Sequence, residues 1–339
     1  MTSVFLTICI PSYNRLDSVK KTVERLFSLK SSFHFKVIVI DNASDINYFE
    51  HFSNNEFFKS LLDNQLLEIH RNVTNIGMSA NIMRCFEVHD SGWIWIISDD
   101  DDLCDDSLIC INEALNKLLS SNCSCIYFGT YDGVVGAESL NTLPEFIDLN
   151  AKSVNNFNQS IFLSNTLYFL PDIRNFISYG YMNLGTYIPH FLMIVHLLNE
   201  GYNVEYRNKK IVNYVKAEIG YSYSMVAGLG VGLPKHSLLN LSKKYYHIYS
   251  KLFYPHNDFK VIVDLFYETK SNPPAFDYLS DYYLYYIKNA RPFAIYLAVR
   301  FFREVAKHEK IFELLLKLLC SLSNRINSDV LEIRKRNSY

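Results

Sequence analysis

Four consecutive carboxylates, Asp99-Asp100-Asp101-Asp102, follow a short and wholly apolar run, Trp93–Ile97. Carboxylates crowded at one strand end repel one another, which costs stability unless a cation neutralises them. A hard divalent ion such as Mn2+ or Mg2+ takes oxygen ligands and commonly shares one or two carboxylates with a substrate's phosphates. In that position it offsets charge gathering on a departing diphosphate. The bland alternative is a solvated acidic turn capping the next helix, a task that Asp105 or Asp106 can perform ahead of Ser107–Leu119. Asp41 ends an earlier apolar run, Val37–Ile40, in the same manner. A carboxylate there can accept hydrogen bonds from a nucleobase or ribose, or merely close an Asx-type turn through Asn42-Ala43-Ser44-Asp45. No Gly-x-Gly-x-x-Gly turn follows either strand and no Gly-x-x-x-x-Gly-Lys-Ser/Thr loop occurs, which argues against nicotinamide, flavin and P-loop chemistry.

The elements that must position these groups follow from pattern. Val4–Ile10 is a β-rich apolar strand expected to stop at Pro11, which lacks a backbone donor. Ser12-Tyr13-Asn14-Arg15 then reads as a loop, and Val19, Val23, Leu26 and Phe27 recur at helical spacing behind Asp17, an N-cap. Val37–Ile40 is a second strand, Leu67–Ile69 a third and Trp93–Ile97 a fourth, with a helix over 79–89 between the last two. Leu108–Leu119 reads as a helix and Cys125–Phe128 as a further strand. Apolar strands alternating with helices predict a mainly parallel sheet covered on both faces. Ligands bind such sheets beyond the carboxyl ends of the strands, and the polar clusters 11–15, 41–45 and 98–102 all stand there. From 130 to 165 the pattern weakens to loops and short strands, after which Pro189–Leu198 is a helix and Lys210–Val215 a strand. Gly228–Gly232 reads as a flexible stretch, and beyond Leu238 the chain is mostly helical, broken at Pro273-Pro274. The last helix places Ile311, Leu314, Leu315, Leu318, Leu319 and Leu322 on one face.

The 339 residues, 20% charged and 49% hydrophobic, suit an ordered globular chain with a substantial core. A net charge of −2 gives no sign of a nucleic-acid partner. The charge is uneven, however: residues 240–339 carry sixteen Lys/Arg against ten Asp/Glu, a local +6, and twenty Phe and Tyr. Such a region suits contact with an anionic membrane surface or a phosphate-bearing lipid carrier, or a packed aromatic subdomain that could also serve a homo-oligomer. Seven cysteines scattered through apolar runs suit reduced, buried thiols and a cytoplasmic location. Val4–Ile10 is too short for a signal peptide, and Lys288, Arg291 and Arg300 interrupt the apolar stretch from Tyr282 to Phe302, so no membrane span is expected.

Three stretches taken together resemble the family 2 glycosyltransferases of GT-A fold. They are Thr7-Ile-Cys-Ile-Pro-Ser-Tyr-Asn-Arg15, Val37-Ile-Val-Ile-Asp-Asn-Ala-Ser-Asp45, and Asn75-Ile-Gly77 through Trp93 to Asp99-Asp-Asp-Asp-Leu103. Within the family, Asn75-x-Gly77 with Asn81, Asp106-Ser107-Leu108 after the acidic cluster, and Leu184-Gly-Thr-Tyr-Ile-Pro-His190 are similar to the O-antigen abequosyltransferase-like group. The resemblance holds to about residue 215. It implies a GT-A domain over 1–215, Rossmann-like with a mainly parallel sheet and helices on both faces, and a mostly helical region over 216–339.

The resemblance also implies roles. Pro11, Tyr13 and Arg15 would lie along the nucleotide, Asp41 would meet the base, and Asn75, Gly77 and Asn81 would belong to the same donor site. Laying the family's Asp-x-Asp-Asp pattern over Ser98–Asp101 puts Ser98 on its first aspartate and Asp100 and Asp101 on its last two. Asp100 is then the main metal ligand, with Asp99 and Asp101 beside it. Many members place a Glu-Asp pair before a late helix to deprotonate the acceptor. Here the segment reads Gly185-Thr-Tyr-Ile-Pro-His190 without an acid, so His190, kept neutral by the helix N-terminus, becomes the candidate base. The implied reaction is inverting transfer of a sugar, of the hexosyl or deoxyhexosyl class, from a nucleoside diphosphate sugar to a glycan hydroxyl. The implied acceptor is an undecaprenyl-linked oligosaccharide in surface-polysaccharide (O-antigen or capsule) biosynthesis, met at the inner face of the cytoplasmic membrane. A nucleotidyltransferase would need a glycine-rich basic loop after the first strand, which Pro11–Arg15 is not. A non-catalytic sugar-binding or scaffold relative is the other rival, favoured by Ser98 and the missing Glu-Asp pair.

Overall fold

The computed structural model describes residues 6–213 apart from 32, 89–91, 118–122 and 130–137, and parts of 239–331, chiefly 293–322. The Gly228–Gly232 stretch and the Pro273-Pro274 break lie outside the described residues.

The first strand, β1 (Leu6–Ser12), continues through Pro11 and does not stop there. It pairs in parallel with β2 (Phe35–Asp41), and β2 in parallel with β3 (Leu67–Arg71). Between them lie α1 (Leu16–Ser28), α2 (Tyr48–Ser53) and α3 (Glu56–Asp63). The apolar positions of α1 fall every three or four residues, so Leu16, Val19, Val23 and Leu26 are buried together. Asn47 and Asn55 cap α2 and α3 by accepting backbone N–H bonds with their side chains.

After α4 (Met78–Arg84), strand β4 (Trp93–Ile96) returns to the other side of β1, again parallel. The chain then forms a short β5 (Asp102–Leu103), α5 (Ser107–Lys117), β6 (Cys123–Gly129) and β7 (Glu138–Leu140). Residues 143–161 form two helices where loops and short strands were expected: α6 (Leu143–Ala151) and α7 (Val154–Ile161). A capping box, Thr142 with Glu145, and a proline in the first turn start α6, and the Ser153 side chain caps α7. Next come β8 (Thr166–Phe169), α8 (Leu170–Ile173), α9 (Ile177–Met182), α10 (Pro189–Asn199), β9 (Asn203–Lys210) and β10 (Val212–Asn213).

The main sheet has the order β3-β2-β1-β4-β8-β6-β9-β7. Its first four strands are parallel. Beyond them it is mixed, because β8 runs antiparallel to both β4 and β6, and β7 antiparallel to β9. β5 and β10 form a separate antiparallel pair. Alternation sends Leu6, Ile8, Ile10, Val37, Val39 and Trp95 to one face, into a core with α1, α2, α3 and α5. Cys9, Ile38, Ile40, Ile94 and Ile96 on the same strands are buried as well, so the sheet is covered on both faces. Each such aliphatic side chain contributes about 1.5–3 kcal/mol. All seven cysteines are free.

By contacts the chain divides into two units, Met1–Leu184 with Ile188–Gly220, and Gly185–Tyr187 with Tyr221–Tyr339. In the second, α11 (Phe293–Ala306) packs against α12 (Glu309–Leu322). Phe312 of α12 meets Phe266 at 4.7 Å between ring centroids, and Glu313 accepts the Tyr267 hydroxyl at 2.7 Å.

Candidate active site

The carboxyl ends of β1, β2 and β4 lie side by side, which brings Ser12–Arg15, Asp41–Asp45 and Ser98–Asp101 together. Asn14, in the left-handed region at φ 54°, joins the first two loops. Its side chain donates to Asp45 at 3.0 Å and accepts the Asp45 N–H at 2.8 Å, and its own N–H donates to the Ser44 hydroxyl at 2.8 Å. Pro11 is half-buried at the end of β1, and Tyr13 next to it is exposed.

Each aspartate after β4 has its own holder. Asp99 is buried. It accepts the Ser12 hydroxyl at 2.5 Å and Arg15 Nη1 at 3.0 Å, while its backbone carbonyl accepts the Thr22 hydroxyl at 3.1 Å. Burial raises the Asp99 carboxyl above the usual range, and Ser12 and Arg15 oppose that rise. Asp100 accepts the same Arg15 Nη1 at 2.7 Å and the Ser98 hydroxyl at 2.5 Å. Asp101 accepts the Ser164 hydroxyl at 2.5 Å and, among the described residues, has no ion-pair partner. Burial first, and the nearby Asp100 and Asp99 charges next, push its carboxyl up to about 7, against the pull of Ser164. Asp102 is exposed and turns away into β5, accepting Asn213 Nδ2 at 2.9 Å.

Asp41 is fully buried. Its carboxylate accepts the Ser44 N–H at 2.9 Å and Arg71 Nη1 at 2.7 Å. Arg71, at the end of β3, also donates to the Ser44 carbonyl at 2.6 Å. The carboxylate is thus neutralised and fixed, and the half-exposed face of the Arg71 guanidinium lies beside it.

Asn75, Gly77 and Asn81 form part of a lattice of asparagines. Asn42 donates to Asn75 at 2.8 Å and accepts from Asn72 at 3.0 Å; Asn72 donates to Asn81 at 2.8 Å, and Asn81 to the Ile40 carbonyl at 3.1 Å. Gly77, at φ 85° and ψ 158°, begins α4 in a conformation open to glycine. These residues lock the end of β2 to the start of α4.

His190 does not join this group of hydrogen-bonded residues. It lies in the first turn of α10 and is buried, with Nε2 3.0 Å from the Ile161 carbonyl. That contact requires the proton on Nε2, and Nδ1 is buried without a partner among the described residues. Burial lowers the imidazole to about 4; the cause is the interior, not the helix end. The helix starts where expected, and the ring lies beneath the surface there.

Ser12, Tyr48, Arg71 and Ser164 were not foreseen as site residues. Tyr48 takes part through its hydroxyl, which accepts the Arg15 N–H at 2.8 Å and lies 3.2 Å from the Ser12 hydroxyl. Among the described residues no group of three or more His, Cys, Asp or Glu side chains is arranged to hold a metal ion.

Residues 7–170 match the family described as Glycosyl transferase family 2. No curated protein sequence matches the chain. Among solved structures, S. aureus TarS 1–349 in complex with UDP-GlcNAc superposes with a TM-score of 0.61 at 12% identity, covering 91% of each chain. The UDP complex of the same TarS 1–349 gives 0.55 at 13% identity, over 91% of this chain and 90% of that one. The mannosyltransferase PcManGT from Pyrobaculum calidifontis, in complex with GDP-Man and Mn2+, gives 0.52 at 10% identity, over 98% and 87%. Fold likeness and family match agree on the part of the chain that holds the strand-end carboxylates, so the chain has a GT-A fold and its residues 7–170 are similar to the family 2 glycosyl transferases.

Proposed function

We propose that this chain transfers a sugar from a nucleoside diphosphate sugar to a hydroxyl of a glycan acceptor, with inversion, using Mn2+ or Mg2+ at Asp99–Asp101. The observation that carries the metal assignment is Asp101. It is a half-buried carboxylate beside two others, raised to about 7, with no cation of the protein paired to it among the described residues. A hard divalent ion is the partner such a group lacks. Asp100, the ligand favoured from sequence, is paired to Arg15, so we give Asp101 the principal role, with Asp99 and Asp100 beside it. When bound, the ion would offset negative charge on the leaving diphosphate.

The residues of the chain do the rest. Arg15 and Ser12 fix Asp99, and Ser164 fixes Asp101, so neither carboxylate needs to reorganise when a ligand arrives. Asp41, held by Arg71 and Ser44, shapes the pocket for the nucleobase at the end of β2. Pro11 and the exposed Tyr13 ring would line the nucleotide. The asparagine lattice of Asn75, Gly77 and Asn81 supports placement in the abequosyltransferase-like group. With it come a hexosyl or deoxyhexosyl donor and a lipid-linked acceptor in O-antigen or capsule biosynthesis. A donor screen across UDP-, GDP-, dTDP- and CDP-sugars with Mn2+ tests the reaction. Release of one nucleoside diphosphate only in the presence of a glycan acceptor supports transfer, and no turnover with any donor counts against it.

A further inference from the structure

We infer that α11 and α12 present an interfacial docking surface for an anionic lipid bilayer. Phe293, Leu297 and Phe301 recur every four residues along α11, and Ile311, Leu314, Leu318 and Leu322 at three- and four-residue steps along α12. Each is exposed, from 46% at Leu297 to 74% at Leu322. The opposite faces of the same helices are consumed by packing: Val299, Arg303 and Ala306 on α11 and Phe312 and Leu316 on α12 are buried. Two adjoining helices with satisfied inner faces and apolar outer faces need a second apolar phase.

Charge selects the phase. Arg300 stands between Leu297 and Phe301, Lys310 beside Ile311, and Lys317 beside Leu318, all exposed and, among the described residues, without an ion pair. Of the exposed acids, Glu304 is already engaged by Arg303 and Lys307, and Glu309 stands at the start of α12 beside Lys310. Cations set among exposed leucines and phenylalanines fit phosphate head groups above acyl chains, each adding roughly 1 kcal/mol near an anionic surface. A second copy of the chain would meet its own Arg300, Lys310 and Lys317 across such an interface. No helix of the described residues is long and apolar enough to span a membrane, so the contact is peripheral. This deepens the reading of the acceptor as lipid-linked and rests on it only for its biological purpose.

The test uses the full chain and vesicles of phosphatidylcholine with or without 30% phosphatidylglycerol (about that fraction gives a strongly anionic surface). Binding should favour the anionic vesicles and weaken with added salt. Lys310→Gln with Lys317→Gln should lower the partition coefficient by roughly thirtyfold, and Leu314→Ser with Leu318→Ser should lower it further still. Because these positions are exposed, thermal melting should not change. Nucleoside diphosphate binding, measured on the same samples, reports on the transfer reading separately and should be unaffected. Equal binding to neutral and anionic vesicles, or variants that bind like the parent, would overturn the proposal. So would a concentration-dependent dimer that the leucine variants dissolve while vesicles fail to bind.

Discussion

Ser164 joins three parts of the site: its hydroxyl donates to Asp101 and accepts the Ser98 N–H at 2.9 Å, while its carbonyl accepts Trp95 Nε1 at 2.7 Å. Removing a group that orients a metal ligand commonly costs 10–100-fold in metal affinity. Ser164→Ala should therefore weaken Mn2+ binding by at least about tenfold in calorimetry with a nucleoside diphosphate present; an unchanged affinity would remove Ser164 from the site. His190 gives a second residue-scale outcome. Its folded value of about 4 lies below the ordinary 6.5, so the unfolded chain binds more protons between those values. Stability is thus full above pH 6.5 and falls as pH drops from 6.5 toward 4, by up to about 1.4 kcal/mol per unit for this histidine. His196, also lowered to about 4 by burial, adds to the same slope. His190→Gln retains a donor for the Ile161 carbonyl and should flatten the acid limb of the melting-temperature profile while leaving turnover per folded molecule intact. A large fall in turnover with unchanged stability would restore the catalytic reading. The gathering of Asp41 and Asp99–Asp101 beyond neighbouring strand ends was legible because each follows an apolar run of a parallel sheet. Arg71 and Ser164 were not, since each reaches its aspartate from a distant segment and no local pattern marks it. The depth of His190 was not legible, because a place in the first turn of a helix says nothing about burial.

At the scale of elements, the loop between β3 and α4 turns on one glycine. Gly77 has room for a methyl group, since an added Cβ would meet nothing within 4 Å, so only its backbone conformation resists substitution. Gly77→Ala should destabilise the domain by about 1–3 kcal/mol through strain alone. Urea denaturation with an unchanged slope and a lower midpoint would show this, and an unaltered midpoint would contradict it. The first four strands were legible from apolar runs ended by polar clusters. The mixed half was not, because strand direction is decided by what packs where and leaves little mark on a run such as Thr166–Phe169. The helices α6 and α7 lay in a stretch of weak periodicity and were expected as loops and short strands, although Thr142-x-x-Glu145 spells a capping box at the start of α6. Pro11 illustrates the reverse error: a missing N–H matters little at the last but one residue of a strand, so β1 runs past it.

At the scale of the molecule, the parallel half of the sheet supplies a fixed floor on which β1, β2 and β4 deliver Asp41 and the carboxylate cluster side by side. The carboxylates are held in place before any ligand arrives, by Ser12, Arg15 and Ser164 rather than by the metal they are proposed to bind. Composition and charge gave the class of molecule and its uneven C-terminal part; they carried no information on the donor sugar, whose recognition depends on side chains beyond the strand ends. The central claim is metal-dependent binding of a nucleoside diphosphate at Asp99–Asp101. Isothermal titration of UDP and GDP into the protein, with Mn2+ and then with chelator, tests it most directly, with Asp101→Asn as the partner variant. The account predicts that one of the two nucleotides binds in Mn2+, that chelation or Asp101→Asn weakens that binding by at least about tenfold, the usual cost of disturbing a metal ligand or its support, and that the variant still melts as a folded protein. Equal affinity with and without the metal, or an Asp101→Asn variant that binds as the parent does, would contradict it.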